Sequence, residues 1–319
     1  MANSETNETS NLVKRRTEYV SLQTGNTAHW DGKDLGDEET SVMEYVEVRL
    51  TQSAISPGPD GVNMAPRKGY HSHSKGHSYI TIFCPAVNEA LRCVVDYFPS
   101  VDLSGNTIKV MEPFAIFIFF ERELSEYRNR LLTRPPDDSC ANKHAYKHIG
   151  IVQDFVKLRM QQDVDAERKR HARGFATFDM LWLLYKPGTD VYYDRHEVVE
   201  HEPYVLKDVI FNLANGSTNE YIITCWNIVV EGEWAGPCER KSEIHRFAGE
   251  IEIVKLIAYP CEYLRFADGI TEEDMQNIKE HFIEAGKKWY QLWRGRQCCH
   301  FDGFTTSFPR RRVSDTYLP

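Results

Sequence analysis

Hydrophobic and polar positions change their period several times along the chain, and each change predicts an element. Residues 1–41 carry few apolar positions and read as a disordered tail. Tyr45-Val46-Glu47-Val48-Arg49-Leu50 alternates apolar with charged positions, the period of a half-buried strand. Residues 51–78 are rich in Gly, Pro, Ser and His and read as a long flexible loop, followed by a second strand over Tyr79–Phe83. Pro85, whose fixed φ suits a first helical turn, opens a helix with Val87, Leu91 and Val94 on one face. Asp96-Tyr97-Phe98-Pro99 is a break. Phe114–Phe120 is a continuous apolar run, suited to a fully buried strand or segment. Glu121–Leu132 reads as helix. The prolines of Arg134-Pro135-Pro136-Asp137-Asp138 enforce a loop. A long helix is expected over 142–172, with Ile151, Val152, Phe155 and Leu158 as its apolar stripe and the charged stretch Asp163–Arg173 in water.

Further along, Thr177 is placed to cap a short helix carrying Met180, Leu181 and Leu184. Lys186-Pro187-Gly188-Thr189 fits a type II turn, with Pro setting the first central φ and Gly accepting a positive φ at the second. Strands are predicted from Val191-Tyr192-Tyr193, over Tyr204–Leu213 and over Tyr221–Val230, with a hairpin loop at Asn215–Asn219. Glu243–Pro260 supplies one or two more around Gly249. Thr271 and Asp274 open a capping-box-like helix running to Trp293, with Met275, Ile278, Phe282, Ala285, Trp289 and Leu292 on one face. Lys287, Lys288 and Arg294 gather near its C-terminal end.

The pattern predicts an α+β fold: a mainly antiparallel sheet or partly closed β-barrel with a packed C-terminal helix, preceded by a smaller α/β N-terminal subdomain. The expected boundaries are a tail over 1–41, the N-terminal subdomain over 42–140, a connecting helix over 141–174, the β-rich domain over 175–306 and a basic tail over 307–319. At about 150 residues per domain, 319 residues agree with two domains.

Composition narrows the function classes. Hydrophobic residues make up 41% and charged residues 27%, enough apolar material to exclude wholesale disorder. A formal net charge of −9 disfavours a globally basic nucleic-acid binder. No apolar run reaches the ~20 residues that span a bilayer. The opening MANSETNETS has no apolar stretch of the kind secretory signals carry, so an intracellular, cytoplasmic or nuclear location is expected rather than secretion. The eight cysteines are then expected as free thiols; no CxxC pair occurs. Cys84, Cys225 and Cys261 sit in apolar strand-like runs, where Cys behaves as a small hydrophobe.

Motifs add little chemistry. The Walker A pattern is absent: Gly286-Lys287-Lys288 lacks the spaced Gly and the hydroxyl. Phe117-Ile118-Phe119-Phe120-Glu121 is similar to a Walker B strand, a common string without a P-loop. GxGxxG, GxSxG and HExxH are also missing. His71, His73 and His77 alternate and can converge on a divalent metal, but no carboxylate or Cys completes the set nearby, and a solvated loop is the plainer reading. Cys298-Cys299-His300 admits a Cys/His nucleophile pair or a partly buried strand. His196-Glu197 and His201-Glu202 match no known ligand spacing. Arg310-Arg311-Arg312-Val313-Ser314 is a basic run beside a hydroxyl, whose phosphorylation would offset the charge. Arg168-Lys169-Arg170-His171-Ala172-Arg173 is a basic patch or a solvated helix face. No catalytic, cofactor-binding or metal residue is assigned from these patterns.

Several segments together resemble the domain of unknown function found N-terminal to the ATPase module in fungal AAA-type ATPases. Tyr79–Ile82 through Asp96-Tyr97-Phe98-Pro99 is similar to its strand, helix and "YYPG"-like motif, with Ser100 where Gly is usual. Glu112-Pro113-Phe114-Ala115 with Glu123-Leu124 resembles a second block, with Phe119 or Phe120 where His is common. The most specific is Thr177-Phe178-Asp179-Met180-Leu181-Trp182-Leu183-Leu184-Tyr185-Lys186-Pro187-Gly188, similar to "TFDLLWALFKPG". Phe247-Ala248-Gly249 with Ile253–Tyr263, and Gly286-Lys287-Lys288-Trp289 with Phe301-Asp302-Gly303, follow the remaining blocks; Ala285 replaces an Arg. The resemblance covers roughly residues 45–305. It implies an accessory region, with ATP entering only through an ATPase domain that this chain, ending at Pro319, does not contain.

Two functions are therefore carried forward. One is a non-catalytic region that recognises a protein partner or substrate polypeptide, with no membrane role and with Trp182, Tyr185, Tyr192, Tyr193, Trp226, Trp234, Trp289 and Trp293 as the pool for an exposed anchor. The other is an enzyme with a Cys/His or paired-carboxylate site invisible in linear sequence, for which Asp179, Asp194, Glu197 and Glu231 qualify by type alone. Nucleic-acid binding through the local basic runs is a weaker third.

Overall fold

The computed structural model describes residues 12–21, 27–31, 41–51, 73–133, 139–195, 198–211, 220–231, 234–293, 300–304 and 312–317. The chain divides into two units, Met1–Cys261 and Glu262–Pro319. It is an α+β protein with two open five-stranded sheets.

The first unit opens with β1 (Val13–Ser21), β2 (Thr27–Asp31), β3 (Met43–Thr51), β4 (His73–Ile82) and β5 (Ile108–Met111), in the sheet order β2-β1-β3-β4-β5. β1 runs parallel to β3, and the other neighbours are antiparallel. Strands therefore occupy part of the expected tail, and residues 73–78 are strand rather than loop; residues 52–72 lie outside the described set. β3 is the central strand, and Met43, Tyr45, Val46, Val48 and Leu50 are buried along it, while Glu47 and Arg49 stay partly exposed and pair with each other at 3.1 Å.

Among the described residues, four α-helices follow in this unit: α1 (Pro85–Val94), α2 (Ala115–Phe119), α3 (Glu121–Thr133) and α4 (Ser139–His171). Phe114–Phe120, expected as a buried strand or segment, is buried and mostly helical, as α2. The chain passes through a cis Glu112–Pro113 peptide and a left-handed Phe114 (φ 59°), then coils so that Ile116, Phe117 and Ile118 are all buried. An element enclosed on every side is apolar at every position, so no period distinguishes helix from strand there. Glu121, the carboxylate of the Walker-B-like string, instead pairs with Lys157 at 3.0 Å.

α4 packs against α1 and α3, and Ile149, Val152, Val156, Met160 and Val164 are buried along it. Leu158, expected in this stripe, is 84% exposed, because at about 100° per residue it falls on the side opposite Ile149. The charged second half is not wholly in water either. Glu167 is fully buried and receives the Thr177 N–H (2.7 Å), the Thr177 hydroxyl (2.9 Å) and Arg170 (2.8 Å), with His171 at 3.5 Å. Burial alone would raise its carboxyl; the bonds from His171, Thr177 and Arg170 outweigh it and hold the group down to about 2. Thr177 thus spends its hydroxyl on Glu167 and makes no side-chain cap to the 3-10 helix Phe178–Leu184 that follows it.

β6 (Phe175–Thr177) pairs with β11 (Glu250–Glu252). The second sheet contains β7 (Asp190–Arg195), β8 (Val198–Phe211), β9 (Glu220–Glu231), β10 (Trp234–His245) and β12 (Ala258–Pro260), antiparallel throughout, in the order β10-β9-β8-β7-β12. β10 and β12 are its two edges, so the sheet is open and the barrel alternative is overturned. Lys186–Thr189 is the expected turn: the Thr189 N–H donates to the Lys186 carbonyl at 3.1 Å and Gly188 has φ +84°. Residues 212–219, which include the expected hairpin loop, are outside the described set.

In the second unit, α5 (Glu272–Trp293) begins with the expected reciprocal cap. Asp274 Oδ2 accepts from the Thr271 N–H (2.9 Å) and hydroxyl (2.6 Å), while Thr271 Oγ1 accepts the Asp274 N–H (3.1 Å). β13 (His300–Phe304) pairs antiparallel with β14 (Arg312–Tyr317).

Candidate functional site

A cavity of about 350 Å³ opens within the first unit. One wall is the break after α1 together with α2, presenting Phe98 and Phe119; the other is the 3-10 helix and turn, presenting Trp182 and Pro187. Phe119 meets Trp182 edge-on at 5.9 Å, and Phe98 lies 6.3 Å from Phe119 and 6.4 Å from Phe120. Such edge-on contacts hold the aromatic walls in place. Tyr185 contributes its ring while its buried hydroxyl donates to the Ala258 carbonyl at 2.8 Å, so the phenol is already occupied. Lys186 is turned onto α2, donating to the Phe119 carbonyl at 3.2 Å and lying 4.3 Å from the centre of the Phe120 ring.

The polar lining is sparse: His77, Ser100, Glu112 and Asp208. Asp208 is brought in by an irregularity in β8. Leu206 is opposite Cys225 and Asp208 opposite Thr224, so Lys207 is an extra residue and the strand bulges. Bulges re-aim side chains at such places. Burial raises the Asp208 carboxyl above its ordinary range, against the opposing pull of the Val209 N–H and Lys207. Lys207 is itself ion-paired with Glu239. The mouth is apolar: Met111 is 41% and Ile210 48% exposed, both lining the opening. Ser100, also in the lining, holds φ +64°, a left-handed conformation that Gly adopts without penalty.

The residues singled out from sequence are scattered. His77 lines the cavity and stacks on Tyr79 at 6.3 Å; His73 falls in β4, and His71 is outside the described residues. His196, Glu197, Cys298, Cys299, Arg310 and Arg311 are also outside them. His300 opens β13, while Arg312 and Ser314 fall in β14. His201 lies in β8, where Glu202 accepts from the Tyr204 hydroxyl at 2.8 Å. Asp179 forms a surface ion pair with Arg246 at 3.0 Å; Asp194 and Glu231 lie near strand ends. The basic run of α4 is matched by acids: Arg168 to Asp165 (3.9 Å), Arg170 to Glu167 and Glu250 (2.8 Å each), Arg173 to Glu250 (3.6 Å). Of the aromatic pool, Trp182, Tyr185, Tyr192 and Tyr193 are buried, and Trp226 and Trp289 half-buried. Trp234 and Trp293 close or open elements at positions whose side chains are not described.

Among the described residues, Glu220, Glu243 and His245 have ligand atoms within 4.8 Å of one another, all on exposed side chains of β9 and β10. No described helix is long and apolar enough to cross a membrane. Sequence reading missed Phe98, Phe119 and Asp208 as one site. The only linear hint was Ser100, standing where the resembled motif has Gly.

A family described as a domain of unknown function (DUF7025) matches residues 166–265. The matched segment runs from the turn of α4 that holds Glu167 through the second sheet, and so includes Trp182, Tyr185, Pro187 and Asp208 of the cavity. No curated protein and no solved structure matches the chain.

Proposed function

We propose that the chain is a non-catalytic recognition region of the type that precedes the ATPase module in fungal AAA-type ATPases, acting inside the cell. Its cavity takes a large apolar side chain from a partner polypeptide, with a neighbouring Lys or Arg of that partner set against Asp208. The observation that carries this reading is an aromatic-walled cavity with an exposed apolar rim and a partly desolvated carboxylate. Interfaces concentrate their energy in such pockets, which accept an anchoring side chain. Exposed apolar residues around an opening are also the usual mark of a binding surface. Against a catalytic reading, the charge of Asp208 is governed by burial, the Val209 N–H and Lys207, rather than by a second acid or base in the cavity. Against nucleic acid, Arg168, Arg170 and Arg173 each have acidic partners.

Selection of a random peptide library on the immobilised protein tests the proposal. Enriched peptides are expected to share an aromatic or branched aliphatic residue beside Lys or Arg. They should lose at least about tenfold in affinity to Ala115→Phe, which fills the cavity, and to Met111→Asp at the rim. Failure to enrich any such pattern, or enriched peptides indifferent to both substitutions in folded protein, would overturn it.

A further inference from the structure

Cys84 and His148 are 64 residues apart, yet Cys84 Sγ lies 3.2 Å from His148 Nδ1. We propose that this pair is an oxidisable thiol site, with Cys84 the nucleophile, His148 its proton acceptor and small hydroperoxides the reactant class. It rests on observations separate from the cavity.

The fold assembles the pair deliberately by position. Cys84 is the N-cap of α1, and its carbonyl accepts the Val87 and Asn88 N–H groups. Its thiol therefore sits at the positive end of a ten-residue helix whose first turn carries no acid. α1 packs on α4, which supplies His148. Burial lowers the His148 imidazole pKa, and His144 and Lys147 lower it further, so near neutrality the ring is uncharged and able to take a proton. Cys225 and Cys261 differ: burial pushes both thiols up to about 12, which keeps them inert. Cys84 is buried, 9% exposed, and His148 is half-buried.

The step is balanced. The Cys84 proton moves to His148 Nδ1, and the thiolate attacks one oxygen of hydrogen peroxide. An S–O bond forms as the O–O bond breaks, and the departing hydroxide takes the proton from His148 to leave as water. Sulfur is oxidised by two electrons to the sulfenic acid, peroxide is reduced, and the imidazole returns to its neutral form.

The test exposes the full chain to hydrogen peroxide, traps sulfenic acid with dimedone and maps the products by mass spectrometry. The exposed Cys93 serves as an internal reference. Cys84 is expected to label at least about tenfold faster than Cys93. His148→Asn should remove that advantage and leave Cys93 unchanged. Continued protection of Cys225 from labelling reports that each variant is folded, and His148→Gln provides a second variant. Equal or slower labelling of Cys84 in the unaltered chain, or rates indifferent to both substitutions in folded protein, would overturn the proposal.

Discussion

Glu167 and Asp208 are both carboxylates drawn out of water, and their surroundings treat them in opposite ways. Glu167 is enclosed by donors from α4 and Thr177, and its carboxyl is held down to about 2. Asp208 sits at a bulge beside an apolar cavity, and its carboxyl is pushed up. A buried charge whose bonds are all made by its own chain is part of the scaffold. One left short of donors beside an opening is available to something else. Glu167 is thus a structural acid, and Asp208 is the acid that the proposed recognition would use.

The largest test removes the structural acid. Glu167→Ala leaves the Thr177 N–H and hydroxyl without their acceptor, and should cost about 3–5 kcal/mol in denaturant unfolding. A loss below about 1 kcal/mol would put the two acids on the same footing. The pH dependence follows from the sign of the shift. The folded carboxyl of Glu167 lies below its unfolded value of about 4.5, so its contribution is full above that pH and disappears as pH falls toward about 2. Some 3 kcal/mol should be lost across that window in the unaltered protein. Glu167→Ala should flatten the acid limb of the unfolding curve.

Ser100→Gly relieves a left-handed residue beside the cavity and should gain about 0.5–1 kcal/mol in thermal unfolding. The smallest effect has the opposite sign to that at Glu167. Because the Asp208 carboxyl is raised on folding, it favours the folded state below its ordinary range and penalises it as pH rises through the raised value. Asp208→Asn should therefore stabilise the protein slightly at pH 7, by under about 1 kcal/mol after discounting for solvent access, and not at pH 3. Destabilisation at pH 7 would return Asp208 to the structural class.

Local rules were legible. The Lys186–Thr189 turn and the Thr271/Asp274 cap depend on residues within four positions of one another, and both stand as read. The resemblance built on Thr177–Gly188 falls inside the segment matched to a domain of unknown function. What the sequence concealed depends on distant partners. α2 reads only as a buried strand or segment because enclosure erases its period. Glu167 reads as solvated because its main partner, Thr177, lies beyond the end of its helix. Asp208 is ordinary until a bulge turns it, and Cys84 is a small hydrophobe until His148 arrives from α4.

The measurement closest to the central claim is a methyl NMR titration of the cavity with two small probes, phenethylammonium and phenylacetate, which share a ring and differ in charge. The account predicts millimolar-range binding of the cation, as expected for so small a ligand, with shifts at Ile116, Val209 and Ile210. The anion should bind more weakly, and Asp208→Asn should erase the difference between them. Shifts from neither probe, or equal binding of both in the unaltered protein, would contradict the claim that this cavity recognises an apolar group carrying positive charge.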